Sequence, residues 1–295
     1  MLHSARLIAQ LVGARLARRL LDTHPEAQET AQGVAAIAGW ALEIMGRGGA
    51  PYHDTNHVAV VAETAALILT GREALGIRTD PDDWYHLLAA ALLHDIGYVR
   101  GLLPGDATDR VSTGQRGETM ATNDDCDGAL APLHVDRGIA IVRQRLAHHP
   151  HLDIQRLVAG LERTRFPVPP GPLHAADGDE PGLLRGADLL GQLGDRRYIP
   201  RLCALAREQR EEGNADMTAE ALWQSLPAFY SSVIAPYIGP SEAALAATPD
   251  GRALLSRLAR YRAGARAGRR RISMDSPACR PAGRPRRSVR RRAWG

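Results

Sequence analysis

Apolar residues recur at intervals of three and four through most of residues 5–260, the spacing that gathers them on one face of an α-helix. Leu87, Leu88, Ala91 and Leu92 form such a stripe before His94, and Ile139, Val142 and Leu146 form another after His134. The pattern predicts helices near 4–21, 25–46, 54–71, 81–96, 133–147, 153–165, 181–194, 199–212, 217–236 and 241–263. No stretch alternates apolar and polar residues for the length of a strand, and β-branched residues are scattered. The expected fold class is therefore all-α, a multi-helix bundle with residues 1–263 as one helical domain. Gly97 reads as the stop of the helix that carries His94 and Asp95.

Three stretches interrupt the helical pattern. Residues 100–132 carry Gly101, Pro104, Gly105, Gly114, Gly117, Gly128 and Pro132 among many Asp, Thr and Asn. A loop of that length inside a compact domain is either functional or a disordered insertion; its place after His94-Asp95 makes it a candidate lid. A shorter Pro/Gly break covers 167–182. From Gly264 to Gly295 the chain is Arg-, Pro-, Gly-, Ala- and Ser-rich and is expected to be a disordered tail.

Composition changes this picture mainly through charge. The net +4 hides two different regions, and every basic residue is arginine. From Arg262 onward there are 12 arginines against one acid, Asp275, a net +11; the rest has 25 arginines against 32 acids, a net −7. The acidic body argues against nucleic acid as a main partner, leaving at most a weak attraction through the tail, which has no interleaved aromatic platform. No uncharged apolar run reaches the length needed to cross a bilayer. The N-terminus lacks the pattern of a secretory signal. Three widely spaced cysteines (Cys126, Cys203, Cys279) form no CxxC pair. That spacing indicates no disulfide framework, and a reducing, cytoplasmic setting is expected.

The chemistry is concentrated in a few residues. Tyr52-His53-Asp54-Thr55-Asn56-His57 puts two imidazoles four apart, so that at a helix start both lie on one face. Both can be ligands, or one a ligand and the other an acid. His94 and Asp95 are about 100° apart on a helix, but at a terminus both can turn toward one ion. Asp188 interrupts an apolar helix segment containing Leu184, Leu189 and Leu190, where a carboxylate is costly to bury unless paired or metal-bound. Such mixed nitrogen and oxygen donors suit a hard or borderline divalent cation.

The ordered series His57, His94-Asp95, Asp188 resembles the H…HD…D signature of the HD superfamily of metal-dependent phosphohydrolases. The string at 52–57 is similar to the YHNxxH string of its cyclic-nucleotide phosphodiesterase branch, with Asp54 where that branch has Asn. The resemblance spans roughly residues 50–200 and implies an all-helical fold with a long loop after the HD pair. It implies His57, His94, Asp95 and Asp188 as ligands of one firm divalent metal (Mn, Fe, Mg, Zn or Ni), with Asp95 bridging to a second, looser ion joined by His134. It implies His53 as the acid that protonates the leaving oxygen. Asp95 and His53 are thus the expected catalytic pair, and Arg165 and Arg197 the candidate phosphate contacts. Glu162 is a further candidate ligand, and Asp54 or Glu63 a candidate partner for an imidazole. The implied activity is hydrolysis of a phosphoester of a nucleotide-like small molecule; the alternative is a non-catalytic HD module binding a nucleotide or protein. Relatives that perform oxygen chemistry place lysines in the site, and this chain has none.

Overall fold

The computed structural model describes residues 2–122 and 127–268. Helices α1 (Leu2–Thr23), α2 (Gln28–Met45), α3 (Thr55–Ala74) and α4 (Pro81–Leu93) form the N-terminal half. Strands β1 (Arg110–Ser112) and β2 (Thr119–Ala121) follow, then α5 (His134–Arg145), α6 (Ile154–Arg163) and the one-turn α7 (Pro172–Ala175). Helices α8 (Glu180–Gly194), α9 (Tyr198–Glu212), α10 (Ala219–Phe229), α11 (Gly239–Ala247) and α12 (Pro249–Arg266) complete an all-α, multi-helix bundle. Among the described residues no helix is long and apolar enough to cross a membrane.

Local chemistry sets the helix starts. Asp80 and Asp83 form a reciprocal capping box at α4, with Pro81 in the first turn. Asp153 caps α6, Asp179 caps α8 and Thr248 caps α12, each carrying a side-chain oxygen that accepts from backbone N–H groups of the first turn. Every residue of α4 from Trp84 to Leu93 is buried, because α2, α3, α6 and α8 surround it. A helix enclosed on all sides lies in the interior, and its C-terminal end carries His94 and Asp95 there, 1% and 2% exposed.

Several sequence expectations shift. The helix expected over 241–263 is two helices, parted where Thr248 is extended (φ −117°, ψ 153°) and Pro249 opens α12. The helix expected over 217–236 ends at Phe229 and widens into a π-turn (Tyr230–Ile234) and a 3₁₀ turn (Ala235–Tyr237), next to Pro227 and Pro236. The 100–132 stretch is not a bare loop. β1 and β2 pair antiparallel with Val111 opposite Met120, and a 3₁₀ turn spans Asp127–Leu130. Strands of three residues are too short to show alternation in sequence. Val111 is buried with Ala50, Tyr98 and Leu130 in a small apolar cluster that anchors this stretch. The Arg-rich tail begins later than expected, since α12 continues to Arg266; residues 269–295 lie outside the described residues.

Gly97 does more than stop a helix. It sits in the 3₁₀ turn Ile96–Tyr98, and a Cβ there would lie 1.9 Å from the His134 carbonyl oxygen. The bare glycine lets the start of α5 seat directly on the turn after Asp95. Cys203 is disulfide-bonded, where the spacing of the cysteines indicated no disulfide framework. Spacing along the chain does not report distance in space, so cysteine usage supplies no argument for a reducing compartment.

Candidate metal centre

Four segments far apart in sequence meet at one point. Asp54 caps α3, its Oδ1 accepting from the N–H of Asn56 and of His57 at 3.0 Å. This is the work of the aspartate that stands in place of asparagine. A buried arginine, Arg201 of α9, holds the same carboxylate oxygen at 2.8 Å, bonds the Tyr52 carbonyl and lies over the Tyr52 ring. His57 is therefore in the first helical turn. His53 lies before the cap rather than on a shared helix face, although the two ring centroids are 5.1 Å apart. At the other end of the site α4 has finished at Leu93 and His94 turns inward, its Nδ1–H donating to the Ala91 carbonyl at 2.8 Å. That bond assigns the proton to Nδ1 and leaves the Nε2 lone pair facing the centre. Asp188 comes from α8, which approaches α3 closely at Gly191; a Cβ there would lie 2.9 Å from Thr64 Oγ1.

The donor atoms converge tightly. His57 Nε2 is 3.3 Å from Asp188 Oδ1 and 3.3 Å from Asp95 Oδ2. His94 Nε2 is 3.2 Å from Asp95 Oδ2, 3.9 Å from Asp188 Oδ1 and 3.4 Å from His57 Nε2. An ion with bonds of about 2.1 Å puts its ligand atoms roughly 3.0–3.4 Å apart in octahedral or tetrahedral geometry. The observed separations match that scale. His57, His94 and Asp188 make one His/His/Asp cluster, and His53, His57 and Asp95 make a second that shares His57. Together they are consistent with one firm divalent-metal site and a second, of unassigned identity.

Two further observations test the fit of a cation. Asp95 is 2% exposed, and its Oδ2 has no hydrogen-bond partner, a costly arrangement for a carboxylate unless positive charge sits beside it. The two Nε2 atoms also face each other, and two lone pairs at 3.4 Å repel unless a proton or a cation lies between them. In the absence of an ion the charges polarise one another. Burial works against charging His94, but the neighbouring Asp95 and Asp188 carboxylates outweigh it and raise its pKa to about 9. Burial likewise opposes ionising Asp95, yet the surrounding imidazoles hold its pKa well below the usual carboxylate range.

The second cluster has its own supports. His53 Nδ1 bonds Glu208 Oε1, while Glu208 Oε2 accepts from the backbone N–H of Tyr52 at 2.8 Å and of His53 at 3.2 Å. Burial opposes protonation of His53, but Glu208 and Asp95 raise its pKa to about 9. His134, opening α5, donates Nδ1–H to the Ala131 carbonyl at 2.6 Å, and its Nε2 lies 4.0 Å from Asp95 Oδ1. The Tyr98 ring stacks against both, its centroid 4.7 Å from that of His53 and 4.7 Å from that of His134, while the two imidazole centroids are 6.5 Å apart.

Other candidates fall elsewhere. Glu162 is paired with Arg165 at 2.6 Å, and Arg165 also bonds Asp136, so this acid and this arginine are already partnered. Arg197 is exposed just before α9. Glu63 pairs with Arg15 at 2.9 Å, and Asp54 caps a helix; the carboxylate that holds an imidazole is Glu208. Glu208, Arg201 and Tyr98 escaped the sequence reading. The available signal was faint: Arg201 and Glu208 lie on the same stripe of α9 as Leu205, where apolar residues are expected.

A family model described as Npun_R2479-like matches residues 4–263. No curated protein and no solved structure matches the chain.

Proposed function

We propose that this chain, which belongs to the Npun_R2479-like family, is a metal-dependent phosphohydrolase of the HD type that cleaves a phosphoester of a nucleotide-like small molecule. The observation that supports it is the convergence of His57, His94, Asp95 and Asp188, in the order of the HD signature, with donor atoms 3.2–3.9 Å apart. A divalent ion held there lowers the pKa of bound water toward neutrality and polarises a phosphoryl oxygen.

The chain's own residues divide the remaining work. His57, His94 and Asp95 are buried to within 3% of full enclosure, which strengthens every charge interaction among them. The side chains of Asp188, His53 and His134 keep 19%, 21% and 14% exposure, so substrate approaches over them. While the second site is empty, His53 carries the proton for the leaving oxygen: Glu208 takes the Nδ1–H and leaves the Nε2–H to donate. Glu208 fixes ring and tautomer in the way carboxylates orient catalytic and ligating imidazoles. Arg165 and Arg197 are the proposed phosphate contacts, and Arg165 reaches that role only by leaving Asp136 or Glu162.

The test is elemental analysis of the purified chain together with hydrolysis of a panel of nucleotide monoesters, cyclic nucleotides and aryl phosphodiesters. Wild type is expected to hold at least one divalent ion and to hydrolyse one class. His94→Ala should lose the ion and at least about 100-fold in rate, more than loss of an outer-shell partner costs. A wild type that holds no divalent ion, or that cleaves nothing His94→Ala does not cleave equally well, ends this reading.

A further inference from the structure

We infer that Tyr98 and Arg137 are positioning residues for the second ion: they clamp the His53 and His134 imidazoles and tie them to the β-hairpin segment. The inference rests on the two-cluster reading of the metal centre and adds to it the part of the fold that builds the looser site.

Arg137 lies one turn after His134 on α5 and is fully buried. All five of its N–H groups are engaged. Nε donates to the Gly97 carbonyl at 2.7 Å and Nη2 to the Val99 carbonyl at 3.0 Å, the carbonyls of the two residues that flank Tyr98. Nη1 donates to the Ser112 carbonyl at 2.6 Å, and Nη1 and Nη2 together grip the Asp106 carboxylate at 2.9 and 3.1 Å. The Asp106 side chain is enclosed too, and its oxygens also accept from the N–H of Leu102, Leu103 and Ser112. One guanidinium thus fastens the backbone on both sides of Tyr98 to the turn that enters β1.

What this fastening holds in place is the Tyr98 ring. It lies almost parallel to His53 (7°) and to His134 (20°), with both centroids 4.7 Å away. Neither imidazole is fixed by the first cluster. Each is held by one hydrogen bond at Nδ1, to Glu208 or to the Ala131 carbonyl, and that leaves rotation about the bond for a ring stack to restrain. Ligand rings must sit within a few tenths of an ångström of their bonding positions, so a stack that stops both rings from swinging acts directly on affinity. His57, His94 and Asp188 draw their supports from the α3 cap, the end of α4 and α8, and do not depend on this clamp. On this geometry the stretch that carries Asp106 and Ser112 braces, through Arg137, the turn that holds Tyr98.

The experiment uses the full chain, stripped with a chelator and titrated separately with Mn²⁺ and Zn²⁺, with stoichiometry and both dissociation constants read by calorimetry. Wild type should take up two ions in distinguishable steps. Tyr98→Leu and Asp106→Asn should weaken the second step by at least about tenfold, the size of an outer-shell effect, and leave the first within about twofold. Tyr98→Phe keeps the stack and should bind both ions like wild type, a rescue that a role for the phenol hydroxyl would not predict. Circular dichroism on each variant separates a local effect from unfolding. A second step unchanged in Tyr98→Leu, equal weakening of both steps in a folded variant, or a single ion in wild type overturns the inference. Failure of wild type to bind any ion instead removes the metal-centre reading itself.

Discussion

Replacing Gly97 by alanine tests how closely the metal centre depends on one backbone contact. A Cβ at this position would stand 1.9 Å from the His134 carbonyl oxygen, 2.7 Å from its carbon and 2.8 Å from the Gly138 nitrogen. Real Cβ atoms essentially never come within 3.0 Å of a neighbour. The start of α5 and the Ile96–Tyr98 turn must therefore part by about 1 Å, and backbone on both sides leaves no flexible side chain to yield. Gly97 is not among the glycines with positive φ, so the obstacle is space and not handedness. Overpacking of this kind costs about 1–3 kcal/mol, and the shift also stretches the Arg137 bond to the Gly97 carbonyl. The alanine recovers less than about 1 kcal/mol by restricting the unfolded chain. A net loss of roughly 1–3 kcal/mol should lower Tm by about 2–10 °C in a domain of this size. The same shift carries His134 away from Asp95, so the second ion should be lost before the first. Gly39→Ala is the control: it is inside α2 with nothing within 4 Å of its Cβ and should stabilise by about 0.5–1 kcal/mol. Urea melts and ion titrations of both variants provide the comparison. A Gly97→Ala protein that melts within about 1 °C of wild type with unchanged ion content would refute the argument.

Two further outcomes follow from the charges of the site. Glu208→Gln keeps the side chain's size but removes the charge that holds His53 protonated; in metal-free protein the His53 ring, followed by NMR, should titrate below its wild-type value of about 9, and an unmoved titration would show that Glu208 is not its partner. The pH dependence of metal-free stability has a definite sign. The pKa of His94 is raised from 6.5 to about 9 on folding, because its carboxylate neighbours outweigh burial. Its contribution, on the order of 3 kcal/mol, is fully present below about pH 6.5 and is lost as pH rises through 9. Ion binding displaces protons from the imidazoles, so metal affinity should rise with pH over the same window. Denaturation of chelator-treated protein at pH 6 and pH 9.5 checks the first claim, and equal stability at the two would contradict it.

The elements and the first metal cluster were legible along the chain because their signals are local. Helical spacing named the bundle. The doublet His94-Asp95 at the end of an apolar run, and the lone Asp188 within another, each set a polar group in an apolar environment, which pairing or a bound cation offsets. Short strands, a helix divided at Thr248-Pro249, and a disulfide at Cys203 left no comparable periodicity or spacing to read.

What folding alone decided is the setting of those ligands. Glu208 is 155 residues from His53, Arg201 is 147 from Asp54, and Arg137 reaches carbonyls 38 and 40 residues back. In sequence each of these looks like an ordinary helix charge. The order of residues sets which donors exist and which helix end carries them, because hydrophobic period and capping act over a few positions. Which carboxylate faces which imidazole depends on how α4, α5, α8 and α9 close around the same interior. That closure is set by packing among segments whose separation along the chain carries no information about their separation in space.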